Sequence, residues 1–92
     1  MRRNYSIVDT SPEYQKCLEH IPSNIKKDLD LKLEILQDDP FSIAKELRAP
    51  LQGKYSVRID RGYRLECRID LNSHKIFLLF IGPRSEAYKR MF

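Results

Sequence analysis

Lys54-Tyr55-Ser56-Val57-Arg58-Ile59-Asp60-Arg61-Gly62-Tyr63-Arg64-Leu65-Glu66-Cys67-Arg68-Ile69-Asp70 is the stretch that decides the fold. Tyr55, Val57 and Ile59 alternate with polar residues before Asp60-Arg61-Gly62. Tyr63, Leu65, Cys67 and Ile69 alternate with polar residues after it. Strict period two marks strands with one buried face. A three-residue loop with Gly62 in the left-handed position sets Ile59 against Tyr63, Val57 against Leu65 and Tyr55 against Cys67. A two-residue loop would set each apolar residue against a polar one. Register is strongly specified where one face is buried, so the sequence predicts the three-residue loop.

The polar face follows from that register. Arg58 falls opposite Arg64, Lys54 opposite Arg68, and Ser56 opposite Glu66. Like charges directly opposite on a sheet are destabilising. Glu66 and Asp70 offset part of this charge, as balancing partners rather than an acid–base pair. An anionic ligand would compensate the rest, and arginine offers a planar fork for phosphate.

Working outward, Ile76–Ile81 is apolar on both faces and reads as a central strand, ended by Gly82-Pro83. Leu71–His74 reads as a turn. A short helix or tail follows Pro83. Toward the N-terminus, Ser11-Pro12-Glu13 is a helix start: a capping hydroxyl, a proline at the first helical position, and an acid at the positive dipole end. Tyr14, Cys17, Leu18 and Ile21 form one helical stripe, closed by Pro22. Ser23 can cap a second helix. Its stripe is Ile25, Leu29, Leu33 and Leu36, widened by Leu31 and Ile35, and Asp38-Asp39-Pro40 ends it. Asn4–Val8 reads as an opening strand. The expected architecture is α+β in the order β-α-α-β-β-β with a short C-terminal helix. An N-terminal strand and helical hairpin pack on an antiparallel sheet, in a single domain over 1–92.

The chain has 92 residues, room for one small core. Its longest wholly apolar run, Ile76–Ile81, is far short of the roughly 20 residues of a membrane-spanning helix. It also lies far from the N-terminus, where a signal peptide has its apolar run. Two cysteines make neither a disulfide scaffold nor a four-cysteine metal site. A reduced, cytoplasmic protein without metal or cofactor is the simplest expectation. Cys17 and Cys67 fall on core faces, as do Tyr14, Tyr55 and Tyr63, so core packing is expected of all five. Charge is uneven: residues 1–44 are net −2 and residues 45–92 net +6. A basic second half suggests a polyanion or an acidic partner.

Leu51-Gln52-Gly53-Lys54-Tyr55-Ser56-Val57-Arg58-Ile59, Gly62-Tyr63-Arg64-Leu65, and Ile81-Gly82-Pro83-Arg84-Ser85-Glu86-Ala87-Tyr88 together resemble the RelE/ParE superfamily of prokaryotic toxins. The resemblance is best over residues 47–88. It implies the toxin of a type II toxin–antitoxin system, of the RelE branch, that enters the ribosomal A site and cuts mRNA there. The implied catalytic set is Arg64 after Gly-Tyr, Arg84 just after the last strand, Tyr88, and Arg58 on the strand before the hairpin loop. Ser56 stands where the nuclease branch often has lysine, and Lys54 on the same face is the expected substitute. Pro83 stands where a lysine or histidine is often found. The expected RNA- and phosphate-binding residues are Lys54, Arg58, Arg61, Arg64, Arg68, Lys89 and Arg90. The implied partners are a cognate acidic, RelB-like antitoxin in a hetero-oligomer, and the ribosome with its mRNA. No membrane partner is expected. The alternatives are a ParE-like inhibitor of DNA gyrase and a degenerate protein that only binds its antitoxin.

The chemistry can be weighed from the side chains. Cleavage by the neighbouring 2′-hydroxyl needs in-line positioning, charge stabilisation on the phosphorane, and proton transfers. Arg58, Arg64 and Arg84 supply the second. His20 and His74 lie outside the cluster, and arginine, with a pKa above about 12, is no ordinary base. Tyr88 and Lys54 are the proton-transfer candidates, each requiring a pKa lowered by neighbouring cations.

Overall fold

The computed structural model describes residues 4–47 and 53–91, with the side chains of 88–91 outside the description. Leu51 and Gln52 lie outside the described residues. A five-stranded sheet has the order β1-β5-β4-β3-β2. Its strands are β1 (Ser6–Thr10), β2 (Ala44–Glu46), β3 (Lys54–Ile59), β4 (Tyr63–Asp70) and β5 (Lys75–Pro83). Helices α1 (Pro12–Leu18) and α2 (Ser23–Asp38) join β1 to β2, and α3 (Arg84–Met91) follows β5. No helix among the described residues is long and apolar enough to cross a membrane.

The hairpin register is the expected one. Ile59 pairs with Tyr63, Val57 with Leu65, Tyr55 with Cys67, Arg58 with Arg64, Ser56 with Glu66 and Lys54 with Arg68. β5 is an interior strand, antiparallel to β4 and parallel to β1. The antiparallel expectation therefore holds for β2 to β5, and β1 joins as one parallel edge. The helices carry the chain away from β1 before the sheet continues, so no tight turn constrains its direction. A register shift between Ile7 and Asp9 leaves Val8 46% exposed. β2 was not legible: three residues give no usable period, and only Ala44 is half-buried.

Ser11 begins α1 as expected, its hydroxyl accepting from the Tyr14 N–H at 3.0 Å. The same hydroxyl donates to the Leu79 carbonyl at 2.6 Å, which ties the helix start to β5. α1 stops at Leu18 rather than running to Ile21. A bond from the His20 N–H to the Cys17 carbonyl at 3.0 Å tightens its last turn, and Pro22 disfavours helical backbone at Ile21. Ser23 does not cap α2. Pro22, extended at φ −63°, ψ 154°, is the cap residue, so Ser23 falls inside the helix. Leu31 faces solvent at 54% exposure, so the apolar stripe of α2 is narrower than expected.

Ile25, Leu29 and Leu36 of α2 and Tyr14 of α1 pack on Val57, Ile59, Leu65, Cys67, Ile69, Ile76, Leu78 and Ile81. Each such aliphatic side chain contributes about 1.5–3 kcal/mol by leaving water. Tyr63 and Cys17 are half-buried, Tyr55 is buried, and both cysteines are free. The opposite face of the sheet has its own buried group: Ser56, Glu66 and Phe80, one cross-strand row, with α3 packed on β4 and β5 and Ala87 fully buried.

Gly82 makes that second layer possible. A Cβ there would stand 2.6 Å from the tip of the buried Phe80 ring. Gly82→Ala is therefore expected to destabilise by about 1–3 kcal/mol through displacement of the ring. Urea unfolding would show this as a lower midpoint at unchanged slope.

Burial, and secondarily the Glu66 charge, push the Cys67 thiol from 9.0 up to about 12. Burial, then Asp30, push the Tyr14 hydroxyl from 10.0 up to about 12. Folded protein keeps these protons while unfolded chain releases them, so stability falls as pH rises from about 9 to 12. Cys67→Ala is expected to make this fall shallower in unfolding midpoints measured across that range.

Candidate phosphate-binding site

Three arginines meet where β3 and β5 end and β4 begins. Arg58 and Arg64 are paired across β3 and β4, and Gly82 flanks Arg64 on its other side. Pro83 closes β5, and Arg84 is the first residue of α3. Partial burial holds the Arg64 guanidinium below its ordinary value, and the charges of Arg58 and Arg84 lower it further. Arginine stays protonated through any biological pH, so the shift expresses crowding of like charge. None of the three forms an ion pair with another described residue, whereas Lys32 and Asp28 at the same cleft are paired at 3.0 Å.

The arginines open on a cleft of about 680 Å³ lined also by Arg61, Lys32, Asp28, Ile43 and the Ile59–Gly62 turn. Cations dominate this lining, and guanidinium forks suit a phosphate. The turn has the expected three residues and adds one feature. Gly62 is left-handed at φ 79°, but so is Arg61 at φ 56°. The Asp60 carbonyl accepts from the Tyr63 N–H, closing a turn whose two central residues both have positive φ. Such turns match the twist of a β-hairpin. Left-handed backbone costs a residue with a Cβ about 1–2 kcal/mol.

The expected basic face is two patches rather than one. Lys54 and Arg68 oppose each other four residues along from Arg58 and Arg64, about 13 Å away at strand rise. The buried Ser56–Glu66 row lies between the two patches. Arg68 lines a smaller groove of about 370 Å³ with Asp9 and Phe77, on the β1–α1 side. Tyr88, Lys89 and Arg90 fall in α3, with Tyr88 four residues after Arg84, but their side chains lie outside the described residues. Neither histidine lines the cleft. His74 stacks on Tyr5 with ring centroids 4.5 Å apart. Asp70 is engaged in its turn, accepting from the Asn72 N–H at 3.0 Å and the Ser73 N–H at 3.4 Å. Among the described residues, no group of three or more His, Cys, Asp or Glu side chains gathers to hold a metal ion.

Sequence reasoning missed Lys32 and Asp28. Their i, i+4 spacing predicts a helix-surface pair, and nothing local reveals that the pair reaches the hairpin. Asp28 accepts from the Asp60 backbone N–H at 2.8 Å as well as from Lys32. Partial burial raises its carboxyl, but the Lys32 ammonium and the Asp60 N–H outweigh this and hold it below the ordinary value.

Chemically, this site can bind and stabilise a phosphate or a phosphorane. The like-charge pairing also has a consequence for stability. Arg58 is exposed, so Arg58→Thr relieves repulsion without opening the core. The variant is expected to be more stable by a few tenths of a kcal/mol at low ionic strength, with the gain vanishing as salt is added. Thermal unfolding at two salt concentrations would measure this.

No protein-family model matches the sequence, and no curated relative does. Solved structures do match. A chain of the RelBE2 toxin–antitoxin complex of Mycobacterium tuberculosis is 26% identical with a TM-score of 0.72, covering 92% of this chain and 95% of that one. A chain of the RelB–RelE complex of Methanococcus jannaschii is 20% identical with a TM-score of 0.72, covering 90% and 98%. The isolated RelE toxin of Escherichia coli is 22% identical with a TM-score of 0.68, covering 97% and 99%. By fold the chain is RelE-like, a structural relative of the RelE/ParE superfamily that its hairpin resembles in sequence.

Proposed function

We propose that this protein is the toxin of a type II toxin–antitoxin system and a ribosome-dependent endoribonuclease that cuts mRNA in the A site and so inhibits translation. The observation that carries the reading is the convergence of Arg58, Arg64 and Arg84 on one cleft without a carboxylate ion-paired to any of them among the described residues. The similarity to RelE chains solved with RelB supports an antitoxin partner, and the cationic cleft suits an acidic one.

In the proposed reaction the 2′-oxygen attacks the adjacent phosphorus and the bond to the 5′-oxygen breaks. The products are a 2′,3′-cyclic phosphate and a 5′-hydroxyl. One proton leaves the attacking hydroxyl and one reaches the leaving oxygen, so no water, metal or cofactor is consumed. Arg64, flanked by Arg58 and Arg84, stabilises the charge that grows on the phosphorane. Arg84, at the head of α3, is assigned to the leaving oxygen. Tyr88, four residues after Arg84 in α3, is the candidate base, a role that requires its pKa to be lowered by neighbouring cations. Lys54 lies in the other patch and serves the RNA path rather than the reacting phosphate. Arg61 lines the same cleft as a further phosphate contact, and Arg68, Lys89 and Arg90 extend the path. With no histidine at the cleft, proton transfer is weak. Orientation of the message by the ribosome must then supply much of the rate.

Primer extension on mRNA programmed into ribosomes tests this. Wild-type protein is expected to cut within the A-site codon and to leave free RNA nearly untouched. Arg64→Ala is expected to lose at least about 100-fold in rate, the scale of one lost charge stabiliser. Tyr88→Phe should fall steeply while still binding. Intact message in the presence of folded wild-type protein, with double-strand breaks in DNA of expressing cells, would select the gyrase-directed alternative.

A further inference from the structure

We propose that Asp28 is a positioning residue that clamps the β3–β4 turn from α2 and thereby sets Arg58, Arg61 and Arg64 around the cleft as one anion-binding site. The inference rests on the reading that this cleft takes a phosphate-bearing strand, and it concerns how the site is held in shape.

The hairpin tip is strained and over-determined, the combination expected where strained backbone persists at a site of function. Arg61 holds left-handed backbone at φ 56°, a conformation that a residue with a Cβ does not keep unaided. Three hydrogen bonds keep it there. The Asp60 carbonyl accepts from Tyr63 N–H, the Asp60 carboxylate accepts from Arg61 N–H at 3.0 Å, and Asp28 accepts from Asp60 N–H at 2.8 Å. The first two lie within the turn. Only the Asp28 bond reaches across the cleft, between residues 32 apart in sequence, and fixes the turn to the helical layer. Asp28 is itself anchored, because Lys32 donates to both of its oxygens at 3.0 Å. The turn is flanked by Arg58 and Arg64 and carries Arg61, all of which line the cleft that α2 walls on its other side. If the turn swung away from α2, Arg61 and the paired Arg58 and Arg64 would draw back from the α2 wall and the cleft would widen.

Charge and position make opposite predictions, which makes the idea testable. Removing a carboxylate from the rim of a cationic cleft strengthens anion binding if only charge matters. Loss of a clamp weakens it.

The probe is a short fluorescein-labelled single-stranded RNA, titrated with wild type, Asp28→Ala and Asp28→Asn, each confirmed folded by its thermal transition. Amide exchange at Asp60 and Arg61 is followed by NMR. The expected result for Asp28→Ala is about tenfold weaker binding, or about 1.4 kcal/mol, with a shallower dependence on salt as fewer phosphates are contacted together. Faster exchange at Asp60 is expected alongside. Asp28→Asn keeps an acceptor oxygen for Asp60 and should stay within about threefold of wild type, or about 0.7 kcal/mol. Tighter or unchanged binding by folded Asp28→Ala would overturn the proposal. So would an equal fall in the Ala and Asn variants, which would assign the effect to the Lys32 ion pair, and so would a wild type that does not bind the RNA. Wild-type protein that binds RNA in this pattern but makes no ribosomal cuts would remove the nuclease reading and leave the clamp standing.

Discussion

The pairing of β3 with β4 in a single register is the constraint on which the rest of the molecule depends. Val57, Ile59, Leu65, Cys67 and Ile69 must all face the helical layer, because a slip of one residue would put the whole set into water. Once that face is fixed, the other is fixed with it. Arg58 has no choice but to oppose Arg64, and Lys54 to oppose Arg68. Burial of the apolar face is worth several times the repulsion on the polar face, at about 1.5–3 kcal/mol per large side chain against a few tenths to one for a like-charged pair. The core therefore holds cations together that would separate on a free strand.

The second layer determines what this charge can do. α3 covers the middle of the polar face, and Phe80 over Gly82 fills the space beneath it. A face that would have been a continuous cationic strip becomes two ends with a buried row between them. At one end Arg84 joins Arg58 and Arg64, because α3 starts where β5 stops. Position at the sheet end thus turns a repulsive pair into a three-arginine site beside a cleft. The other end, with Lys54 and Arg68, has no comparable enclosure.

The sequence made the hairpin legible because period two is a local signal, repeated over two strands and punctuated by Gly62. Arg58, Arg64 and their opposition could be read from that alone. The limits of helices and edge strands were less legible. α1 ends early through a three-residue bond before Pro22, and β2 is too short for any period to show. Arg84 entered through family resemblance, and the structure supplies its physical place at the turn from β5 into α3. What the sequence hid was long-range. Asp28 and Lys32 look like an ordinary exposed pair on a helix, and only the folded chain brings Asp28 to the backbone of Asp60. The left-handed Arg61 was hidden for the same reason. A local rule assigns positive φ to the glycine, while bonds within the turn and the one long-range bond from the Asp60 N–H to Asp28 hold the neighbour there as well.

A site made of arginines is rich in charge and poor in proton-transfer capacity, and the fold is suited to that imbalance. Charge stabilisation depends on distances set in advance, since donors that must reorganise lose most of their advantage. Three features set those distances here: a register held by the core, a helix that starts at the end of a strand, and a turn hydrogen-bonded to α2. Proton transfer can be left to a weak acid or base if the reacting atoms are already aligned, because alignment alone is worth roughly 7–11 kcal/mol. The free protein cannot supply that alignment from an open cleft. An outside scaffold that presents the strand in line would complete it, and in the proposed reading the ribosome is that scaffold.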